Sequence, residues 1–592
     1  MEVIKTDVAI VGAGGAGLRS AIAVAESNPA LTIALISKVY PMRSHTVAAE
    51  GGSAGVVQAH DSLEHHFNDT VSGGDWLCDQ DVVDYFVANA TDEMVRLEHW
   101  GCPWSRKDDG SVNVRRFGGM KIERTWFAAD KTGFHMLHTL FQTSTKYPSI
   151  ERFDEYFATD LIVEDGRCQG LVAIEVKTGE PKLFLAKSVI LATGGAGRVF
   201  RFNTNGAIVT GDGMAMAYRA GVPLRDMEFV QYHPTGLPGS GILMTEGCRG
   251  EGGILLNKDG YRYLQDYGLG PETPIGEPQN KTMELGPRDK LSQAFWHEQR
   301  KGRTIETPLG DAVHLDLRHL GEKKLRERLP LICSLAKNYL GVDAVHEPVP
   351  VRPAVHYTMG GIRTDMTACA LPGLFAVGEC SSVGMHGANR LGSNSLAELV
   401  VFGKVAGERA ADFASQADSS PENTLQDQGR HHIEAIDSLR NAKGTEKVSH
   451  IRHEMVKTME DCFGIYRLGD EMQQGVDTIA ALRERFNHIT MEDQSRVFNT
   501  ELLMALELKS SLEIAHTIAL SALLRKESRG AHQRLDGFEK RDDQNFLKHT
   551  LATSTGDGAP HIDYENVNIT RFQPEERLYG AAAEQPRAEK TP

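Results

Sequence analysis

The feature that most constrains the fold of this chain is a glycine-rich turn near residue 12. It has the spacing G-x-G-x-x-G and consists of Gly12, Ala13, Gly14, Gly15, Ala16 and Gly17. The turn follows an apolar run at residues 7–11, which has the composition of a buried parallel strand. After a strand, Gly12 permits a tight turn, Gly14 lets the backbone approach a pyrophosphate, and Gly17 lets a helix pack closely. The N–H groups at the helix start would hold the phosphates, so the pattern predicts a Rossmann-like nucleotide-binding domain.

Other strand-like runs assign this domain to the α/β class. Residues 1–235 alternate short β-branched runs with helical patterns, as in a parallel sheet covered by helices. Further buried strands are predicted at residues 31–36, 188–193 and 373–378. Residues 236–352 are rich in Gly, Pro and charge, with few clear strands. They are predicted to form an inserted α+β capping domain.

The rest of the chain is predicted to be mainly helical. Residues 415–429 are polar and are interpreted as a linker. An apolar stripe with helical spacing follows, and residues 497–525 continue it; the stripe is Met472, Val476, Ile479, Leu482 and Phe486. The last 20 residues are rich in Ala, Glu, Pro and Lys, which predicts a frayed end. The predicted divisions are a nucleotide-binding domain at 1–235 and 353–414, a capping domain at 236–352, a helical domain at 430–545 and a C-terminal segment at 546–592.

Composition excludes several classes of protein. The 592 residues include 64 Lys and Arg against 80 Asp and Glu, a formal charge of −16, which argues against a nucleic-acid partner. The longest apolar runs are too short to span a membrane. The 8 cysteines are scattered without a C-x-x-C pair, so neither a metal site nor an iron–sulfur centre is expected within the chain. Free thiols and the strand-like N-terminus indicate a cytoplasmic location.

The choice of nucleotide depends on residues beyond the glycine turn. The acidic residue expected about 20 positions after Gly17 is replaced by Ser37 and Lys38. Lys38 alone would suit the 2′-phosphate of NADP, but several distant segments favour a flavin. The pair at residues 51–52 lets the backbone lie against a flat ring, and Glu379 follows a strand where it could bond ribitol hydroxyls. Together with Asp212, these positions predict an extended FAD.

Long motifs give this sequence a specific resemblance that covers residues 12 to about 547. The motifs are Arg43-Ser44-His45-Thr46, Gln231-Tyr232-His233-Pro234-Thr235-Gly236, Thr245-Glu246-Gly247-Cys248-Arg249-Gly250-Glu251-Gly252, His386-Gly387-Ala388-Asn389-Arg390-Leu391-Gly392 and Glu527-Ser528-Arg529-Gly530-Ala531-His532. With them, the chain resembles the flavoprotein subunits of fumarate reductase and succinate dehydrogenase, most closely those of bacterial four-subunit fumarate reductases. The resemblance implies that His45 carries FAD covalently through the flavin 8α-methyl, whereas the residues alone leave a capping or core histidine open. The remaining predicted cofactor positions are Gly12, Ala13, Gly14, Gly15, Ala16, Gly17, Ser37, Lys38, Ser44, Thr46, Glu50, Gly51, Gly52, Asp212, Glu379, Ser395 and Leu396.

Three arginines near glycines or prolines, together with two histidines, predict a binding site for a dicarboxylate. They are His233, Arg249, Arg288, His356 and Arg390. Arginine grips a carboxylate with two parallel hydrogen bonds, although a solvated surface is the ordinary place for any one arginine. The resemblance implies that His233, Thr245, His356 and Arg390 hold the two carboxylates of fumarate or succinate. It also implies that Arg288 is the proton donor, with Glu246, Arg249 and His233 in the catalytic set.

Three other patterns have less favoured functional readings. Residues 51–55 match G-x-S-x-G but lack the strand before and helix after that a hydrolase elbow needs. His135 and His138 have helical spacing among apolar neighbours, so core or capping roles are preferred over a metal pair. Cys248 adjoins Arg249, which could lower its pKa, but the predicted reaction needs no nucleophile.

The predicted reaction needs electrons from another chain, because this sequence has neither a second nucleotide motif nor a cysteine cluster. The resemblance implies an iron–sulfur subunit docked on membrane anchors that oxidise quinol, at the cytoplasmic face of a bacterial inner membrane. Residues 430–545 either form the surface on which the iron–sulfur subunit docks or are an ordinary helical domain that packs on its own chain.

The predicted function is the flavoprotein subunit of a membrane-associated fumarate reductase in anaerobic respiration. Succinate dehydrogenase is the first alternative, although Glu50 favours fumarate reductase because the dehydrogenases usually have Gln in that position. L-aspartate oxidase is disfavoured by the motif at residues 43–46. A flavin-binding relay protein without substrate chemistry is disfavoured by the complete cationic set.

Overall fold

The structure is a computed structural model that describes residues 2–418, 421–556 and 558–577. Its strands are β1 Glu2–Val11, β2 Ile33–Ser37, β3 Ser53–Ala54, β4 Val114–Arg115, β5 Thr125–Trp126, β6 Ile150–Asp154, β7 Tyr156–Glu164, β8 Arg167–Glu175, β9 Glu180–Leu191, β10 Leu224–Arg225, β11 Val230–Gly236, β12 Ile254–Leu256, β13 Val313–Asp316, β14 Val349–Thr358, β15 Gly361–Arg363, β16 Cys369–Leu371, β17 Leu374–Ala376, β18 Ser381–Ser382, β19 Lys548–Thr553 and β20 His561–Asn566. Its α-helices are α1 Gly15–Ser27, α2 Leu63–Gly73, α3 Gln80–His99, α4 Thr132–Ser144, α5 Asp212–Arg219, α6 Gly247–Gly250, α7 Arg288–Arg300, α8 Glu322–Arg328, α9 Pro330–Leu340, α10 Asn394–Gln416, α11 Glu422–Arg440, α12 Val448–Cys462, α13 Gly469–Phe486, α14 Thr500–Leu524 and α15 Asp543–Phe546.

A parallel sheet with the order β17-β9-β1-β2-β6 forms the centre of the molecule, and β1 is paired on both edges. The chain leaves β1 through the glycine turn and enters α1. Gly12 has a φ of +108°, and a side chain there would collide with the carbonyl of Ala192 at 2.1 Å. A Cβ at Gly17 would lie 1.8 Å from the Gly12 carbonyl oxygen. Glycine at these two positions therefore lets α1 start directly against the sheet, as the sequence predicts.

The strand predicted at residues 373–378 returns to this same sheet. β17 pairs in parallel with β9, with Leu374 opposite Val189. The intervening chain forms a second, four-stranded sheet with the order β11-β14-β13-β12. Helices α7, α8 and α9 lie in the same stretch, and residues of α7, α8 and α9 share one hydrophobic core with β12, β13 and β14. The predicted α/β fold with an inserted α+β capping domain is confirmed.

Strand pairing crosses both predicted limits of the insertion. β11 ends at Gly236 and pairs with β14, which runs from Val349 to Thr358. The sheet of the capping domain therefore uses residues on either side of 235/236 and of 352/353. β11 and β14 thus belong physically to both domains.

The predicted linker at residues 415–429 is wrong over most of its length. α10 continues to Gln416, and α11 begins at Glu422. In α11, only Leu425, Gly429 and Ile436 are buried, so its polar surface faces solvent and its sequence looks like a loop. A helix with such a narrow buried face has few apolar residues, so its sequence resembles a polar loop.

The helical region otherwise follows its predicted pattern. α13 buries the predicted stripe, including Met472, Ile479 and Leu482. α14 covers 25 residues of the predicted 497–525 segment and packs against α13. Within the described ranges, no helix is both long and apolar enough to cross a bilayer.

The C-terminal segment contains structure that the sequence did not predict. β19 and β20 form an antiparallel hairpin, and β19 also pairs with β10. Of the predicted frayed end, residues 573–577 lie on the folded protein, with Arg577 largely buried at 9% exposure of its side chain. Residues 578–592 lie outside the described residues.

Candidate active site

A cavity of about 280 Å³ lies where the central sheet meets the start of α1. Its lining comes from segments far apart in sequence, as an extended nucleotide requires. The predicted cofactor positions that line it are Gly12, Ala13, Gly14, Gly15, Ala16, Ser37, Lys38, Ser44, His45, Thr46, Glu50, Asp212, Glu379, Ser395 and Leu396. The predicted positions that do not line it are Gly17, Gly51 and Gly52. Gly17 supports helix packing, and Gly52 has a φ of +143° with Trp126 O 2.4 Å from its ideal Cβ position.

The cavity has the features that FAD binding requires. The N-cap residue of α1 is Gly14, which has no side chain to cap the helix. The Gly15 N–H donates to Thr46 Oγ1 at 3.1 Å, and a helix N-terminus of this kind is suited to a pyrophosphate. Buried polar atoms of Glu50 and Thr193 have no hydrogen-bond partner within the described part of the chain. A buried polar atom without a partner is costly, so a ligand with matching groups would stabilise them. The residues present therefore fit the predicted FAD.

Lys38 lies in the cavity wall and forms ion pairs with two carboxylates. Its Nζ lies 2.8 Å from Asp212 Oδ2 and 2.5 Å from Glu507 Oε1, and it also donates to Thr210 Oγ1 at 3.0 Å. Burial lowers the Lys38 pKa, but Asp212 and Glu507 outweigh it, so that the pKa is raised. The ammonium is thus charged and already neutralised, which leaves no free cation for a 2′-phosphate. Glu507 belongs to α14, and nothing in its local sequence indicates this contact.

His45 lies at the start of a short 3₁₀ turn on the cavity wall. Asn205 Nδ2 is 3.1 Å from its Nε2, and the Gly206 N–H donates to its Nδ1 at 3.3 Å. These contacts fix the ring orientation. Burial, together with the charge of Arg198, lowers the pKa of His45 to about 4. The imidazole is therefore uncharged at neutral pH, and its Nδ1 lone pair accepts the Gly206 N–H.

Three arginines and two histidines come together beside this cavity and are here called the cationic cluster. Its members are His233 on β11, Arg249 on α6, Arg288 on α7, His356 on β14 and Arg390 before α10. The His233 and His356 rings have centroids 5.0 Å apart. His356 and Arg390 also line the cavity. The fold thus joins residues from the capping domain and the FAD-binding domain in one buried site, as the sequence predicts.

Arg288 and Arg390 are linked by one glutamine that the sequence analysis did not single out. Gln231 Oε1 accepts from Arg288 Nη1 at 3.0 Å and from Arg390 Nη2 at 3.2 Å. The Arg390 guanidinium also lies 4.2 Å from the Tyr357 ring centroid. Burial lowers the pKa of Arg390 to about 10, with the charge of Arg288 adding to the effect. Gln231 belongs to the motif that contains His233, which was the available signal for it.

Glu246 is the carboxylate that pairs with the arginines of the cationic cluster. Its Oε2 accepts from Arg288 Nη2 at 2.7 Å and from Nε at 2.9 Å. Its Oε1 accepts the Gly118 N–H at 2.5 Å and lies 3.8 Å from Arg249 Nη2. Burial would raise the Glu246 pKa, but Arg288 and Arg249 offset this and leave it lowered. Glu246 is therefore an ionised bridge between two buried guanidinium groups.

Arg249 keeps unused hydrogen-bonding capacity. Its Nη1 donates to the Glu284 carbonyl at 2.5 Å, while its Nε and Nη2 have no hydrogen-bond partner among the described residues. Burial lowers the Arg249 pKa, although Glu246 raises it in part. Thr245, next to Glu246, is also buried, and its Oγ1 accepts the Gly247 N–H at 3.2 Å.

Both histidines of the cluster are uncharged at neutral pH. Burial and the charge of Arg288 hold the pKa values of His233 and His356 well below 6.5. His356 Nδ1 lies 2.8 Å from Thr204 Oγ1, and His233 Nδ1 lies 3.3 Å from Thr235 Oγ1. The cluster is therefore built from three arginines, two neutral imidazoles and one carboxylate. It has a net positive charge and hydrogen-bond donors for an anion.

Two carboxyl groups in the cavity wall have raised pKa values. Burial raises the pKa of Glu379 to about 7, even though its Oε1 accepts the Thr358 N–H at 3.0 Å. Burial, followed by the charge of Asp130, raises the pKa of Glu50 well above its usual value. Protonated carboxyl groups can donate hydrogen bonds, so both suit polar groups of a bound cofactor.

The less favoured readings gain no support from the structure. Ser53 is buried in β3, and its Oγ has no hydrogen-bond partner in the described part of the chain. His135 and His138 lie against the Phe134 ring, and no group of three metal-ligating side chains occurs among the described residues. Burial raises the pKa of the Cys248 thiol, and Arg249 does not offset it. The suggestion that Arg249 activates this thiol is therefore wrong.

The fold and the site together define a flavin-dependent oxidoreductase with a capping domain. A family model described as an FAD binding domain matches residues 7–396, and one described as a fumarate reductase flavoprotein C-terminal region matches residues 452–579. FAD is therefore the cofactor of this chain.

Individual relatives narrow the class further. The chain is 67% identical over 585 residues to the fumarate reductase flavoprotein subunit of Proteus vulgaris, covering 98% of each chain. It superposes on a variant of the FrdA subunit of E. coli quinol fumarate reductase with a TM-score of 0.96 and 66% identity, covering 98% of this chain and 99% of that one. The succinate dehydrogenase flavoprotein subunit of Rickettsia conorii is 42% identical, with 96% of each chain covered. The chain belongs to the family of fumarate reductase flavoprotein subunits, which confirms the resemblance.

Proposed function

We propose that this chain is the catalytic subunit of a fumarate reductase and converts fumarate to succinate. The observation that carries the proposal is the cationic cluster beside the FAD cavity. Of its three buried arginines, Arg249 and Arg288 share the one carboxylate of Glu246, and Arg390 donates to Gln231 instead. A buried excess of positive charge is costly unless an anion neutralises it. A dianion with two carboxylates would supply that charge.

The substrate's carboxylates would be held by His233, Thr245, His356 and Arg390. Arg390 offers an Nε without a partner among the described residues, and a guanidinium binds a carboxylate through two parallel hydrogen bonds. His356 lies between the cavity and His233. One carboxylate would therefore bind near Arg390 and His356, and the other deeper in the cluster.

FAD would be held by the glycine turn, the α1 N-terminus and the carboxyl groups of Glu50 and Glu379. We propose a covalent bond from His45 to the flavin 8α-methyl, which the neutral ring and its fixed orientation favour. When bound and reduced, the cofactor supplies a hydride to one alkene carbon. This chain's arginines would stabilise the negative charge that then develops on the substrate.

Arg288 is proposed as the donor of the proton to the second alkene carbon. An arginine is a weak acid, so it needs carbanion character on the substrate and a route for reprotonation. Both Nε and Nη2 of Arg288 bond to Glu246, and Glu246 contacts Arg249 at 3.8 Å. This chain of contacts supports a relay from Arg249 through Glu246 to Arg288.

Electrons would enter from partner subunits. The E. coli chain on which this protein superposes is part of a quinol fumarate reductase. We propose an iron–sulfur subunit and quinol-oxidising membrane anchors as partners, at the cytoplasmic face of a bacterial inner membrane. The physiological process would be anaerobic respiration.

Succinate oxidation is the second candidate function. The succinate dehydrogenase subunit at 42% identity favours it as a reverse activity of the same site. Glu50 lies in the wall of the flavin cavity at the position where the dehydrogenases usually have Gln, and this favours the reductase assignment.

One experiment tests the proposal in two parts. The assembled complex is precipitated in acid, and flavin fluorescence is measured on the washed polypeptide of the wild type and of His45→Ser. Fumarate-dependent oxidation of a reduced dye is then assayed in the native complex. We expect colour on the wild-type chain alone, and fumarate reduction by the wild type. Release of all flavin by acid would refute the covalent bond, and an inactive, fully flavinylated complex would refute the proposed reaction.

A further inference from the structure

The C-terminal tail, defined here as residues 567–577, is anchored on the FAD-binding domain before it reaches the active site. Gln80 at the start of α3 donates to Phe572 O at 2.7 Å and accepts the Phe572 N–H at 3.0 Å. The Arg571 guanidinium lies 3.7 Å from the Phe67 ring centroid and pairs with Asp84. These contacts do not involve the capping domain, so they hold the tail independently of its last described residue.

That last residue, Arg577, joins the two domains that enclose the active site. Its Nη1 donates to Asp289 Oδ2 at 2.9 Å, and its Nη2 to Asp289 Oδ1 at 3.4 Å. Nη2 also donates to Gly73 O at 3.3 Å, and Nη1 lies 3.6 Å from Asp75 Oδ2. Asp289 belongs to α7 of the capping domain, whereas Gly73 and Asp75 belong to the FAD-binding domain. The Asp289 side chain is 2% exposed and the Arg577 side chain 9%, so this is a buried bidentate pair.

Asp289 directly follows Arg288 at the start of α7. The position of its carboxylate therefore fixes the first turn of the helix that carries the proposed proton donor. Burial makes this pairing strong, because an unpaired carboxylate would have to move toward water or another cation. Without the Arg577 guanidinium, the Asp289 carboxylate loses its tie to Gly73 and Asp75 of the FAD-binding domain.

A second path leads from the same anchoring point into the cationic cluster. Gly73 O accepts a hydrogen bond from the Arg577 guanidinium and another from Asn389 Nδ2 at 3.4 Å. Asn389 Oδ1 accepts from Gln231 Nε2 at 3.0 Å. Gln231 Oε1 in turn accepts hydrogen bonds from Arg288 and Arg390. The tail therefore contacts both the helix that carries Arg288 and the network that orients both arginines.

We propose that Arg577 is a positioning residue for fumarate reduction, which straps the Arg288 end of α7 to the FAD-binding domain. The inference rests on the proposed function. By tying Asp289 to Gly73 and Asp75, the guanidinium keeps the capping domain closed over the substrate, with Arg288 paired to Glu246. Closure of a domain over a site excludes water and completes the catalytic geometry. Arg577 acts through Asp289 and touches no reacting atom.

The test uses the assembled, FAD-loaded complex and four variants. Arg577→Ala removes the strap, and Arg577→Lys keeps the charge but loses the fork that contacts both Asp289 oxygens and Gly73. Asp289→Asn removes the receiving carboxylate, and a double variant combines it with Arg577→Ala. Arg571→Ala is the matched control, because it removes a tail arginine that contacts only the FAD-binding domain. The measurements are kcat and KM for fumarate, the Kd of succinate by calorimetry, and flavin content.

We expect Arg577→Ala to keep its flavin, to lower kcat/KM about 10- to 100-fold and to weaken succinate binding, because misplacement of a catalytic group by about 1 Å costs that much. Arg577→Lys should recover part of the loss. The double variant should be no worse than Arg577→Ala, since both changes break one contact. Arg571→Ala should stay within about twofold of the wild type.

Equal kcat, KM and succinate Kd in Arg577→Ala and Arg571→Ala would overturn the inference. Additive losses in the double variant would also overturn it, since Arg577 would then not act through Asp289. If Arg577→Ala does not assemble, Arg577→Lys and Asp289→Asn decide the outcome by the same criteria. Failure of the proposed function is distinguishable, because the wild-type complex itself would then not reduce fumarate.

Discussion

Two buried groups of charged side chains in this molecule are built in opposite ways. The first, here called the C-terminal ion cluster, consists of Asp226, Glu228, Arg525, Glu527, Arg529 and His549. In it, each cation meets its own carboxylate: Arg525 Nε lies 2.5 Å from Glu228 Oε1, and His549 Nδ1 lies 2.6 Å from Asp226 Oδ2. In the cationic cluster, by contrast, Arg249 and Arg288 share Glu246, and Arg390 donates to the neutral Gln231.

The histidines show what this difference means. His233 and His549 are fully buried and His356 is partly buried in the cavity wall, yet their pKa values move in opposite directions. Burial lowers the pKa of His549, but Asp226 and Asp79 reverse this and raise it to about 9. Because His233 and His356 lie among arginines, their pKa values stay well below 6.5. Balanced charge stabilises the fold, whereas the unbalanced cluster is completed only when an anion binds.

The largest expected effect comes from removing Arg288, the most tightly paired arginine of the cationic cluster. Arg288→Ala should lower kcat for fumarate by about 10³- to 10⁴-fold, because proton donation and charge stabilisation are both lost. Flavin should remain attached, since Arg288 does not line the FAD cavity. Steady-state kinetics and flavin content measure the two effects.

Arg288→Lys is the control for charge. A lysine keeps the cation but cannot bond both Glu246 and Gln231 in the same fixed fork. We expect it to remain strongly impaired. Near-normal turnover in Arg288→Ala would assign the proton transfer to another group.

Breaking an ion pair in the C-terminal ion cluster should lower the stability of the fold and leave turnover unchanged. Glu527 accepts from Arg525 Nη1 and Arg529 Nε, both at 2.8 Å. Glu527→Gln would leave these buried guanidiniums short of one negative charge, a loss of about 3–5 kcal/mol. Thermal unfolding of the assembled complex should show a clearly lower Tm, with kcat of the remaining folded enzyme near normal.

An exposed pair in the capping domain gives the matched control for that change. Arg326 and Glu322 form an i,i+4 pair on the surface of α8. Glu322→Gln should leave Tm unchanged, because exposed pairs contribute little. If both glutamates behave alike, the distinction between buried and exposed pairs fails.

The raised pKa of His549 predicts a loss of stability in alkaline solution. Its pKa is about 9 in the folded chain against 6.5 for an ordinary histidine. The stabilisation is therefore complete below pH 6.5 and is lost as the pH rises through about 9, by about 3 kcal/mol at most. Unfolding of the wild type and His549→Gln is compared from pH 6 to pH 10. The difference between them should shrink as the pH rises, and a constant difference would contradict the assignment.

A smaller effect is expected on substrate binding. A bound dianion should raise the lowered pKa values of His233 and His356, so binding near pH 6 should take up protons. Succinate affinity should then fall as the pH rises, by at most about tenfold per pH unit for each proton. Calorimetry in two buffers of different ionisation enthalpy measures the uptake, which His356→Gln should reduce. Proton release on binding would contradict a net positive site.

The part of the fold that sequence could predict is the part determined by local backbone geometry. The glycine turn, α1 and the parallel strands follow from short-range patterns, and the stripe of α13 follows from helical periodicity. α11 was missed because its polar face resembles a linker. β19 and β20 were missed because they are short and are stabilised by pairing with each other and with distant β10.

The candidate site divides in the same way. The resemblance implied the role of His45, and glycine and proline neighbours indicated the arginines of the cationic cluster. They did not indicate Glu507 beside Lys38, Gln231 between two arginines, or Arg577 at α7. Each of these acts through a contact with a residue far away in the sequence, which periodicity and spacing do not report.

The central claim is that the cationic cluster binds a four-carbon dicarboxylate beside the flavin. The most direct measurement is a crystal structure of the FAD-loaded complex with succinate. The account predicts carboxylate oxygens about 2.7–3.2 Å from the nitrogens of Arg390 and His356, with the second carboxylate among His233, Thr245 and the remaining arginines. Succinate bound elsewhere, with the cluster filled only by water, would contradict it.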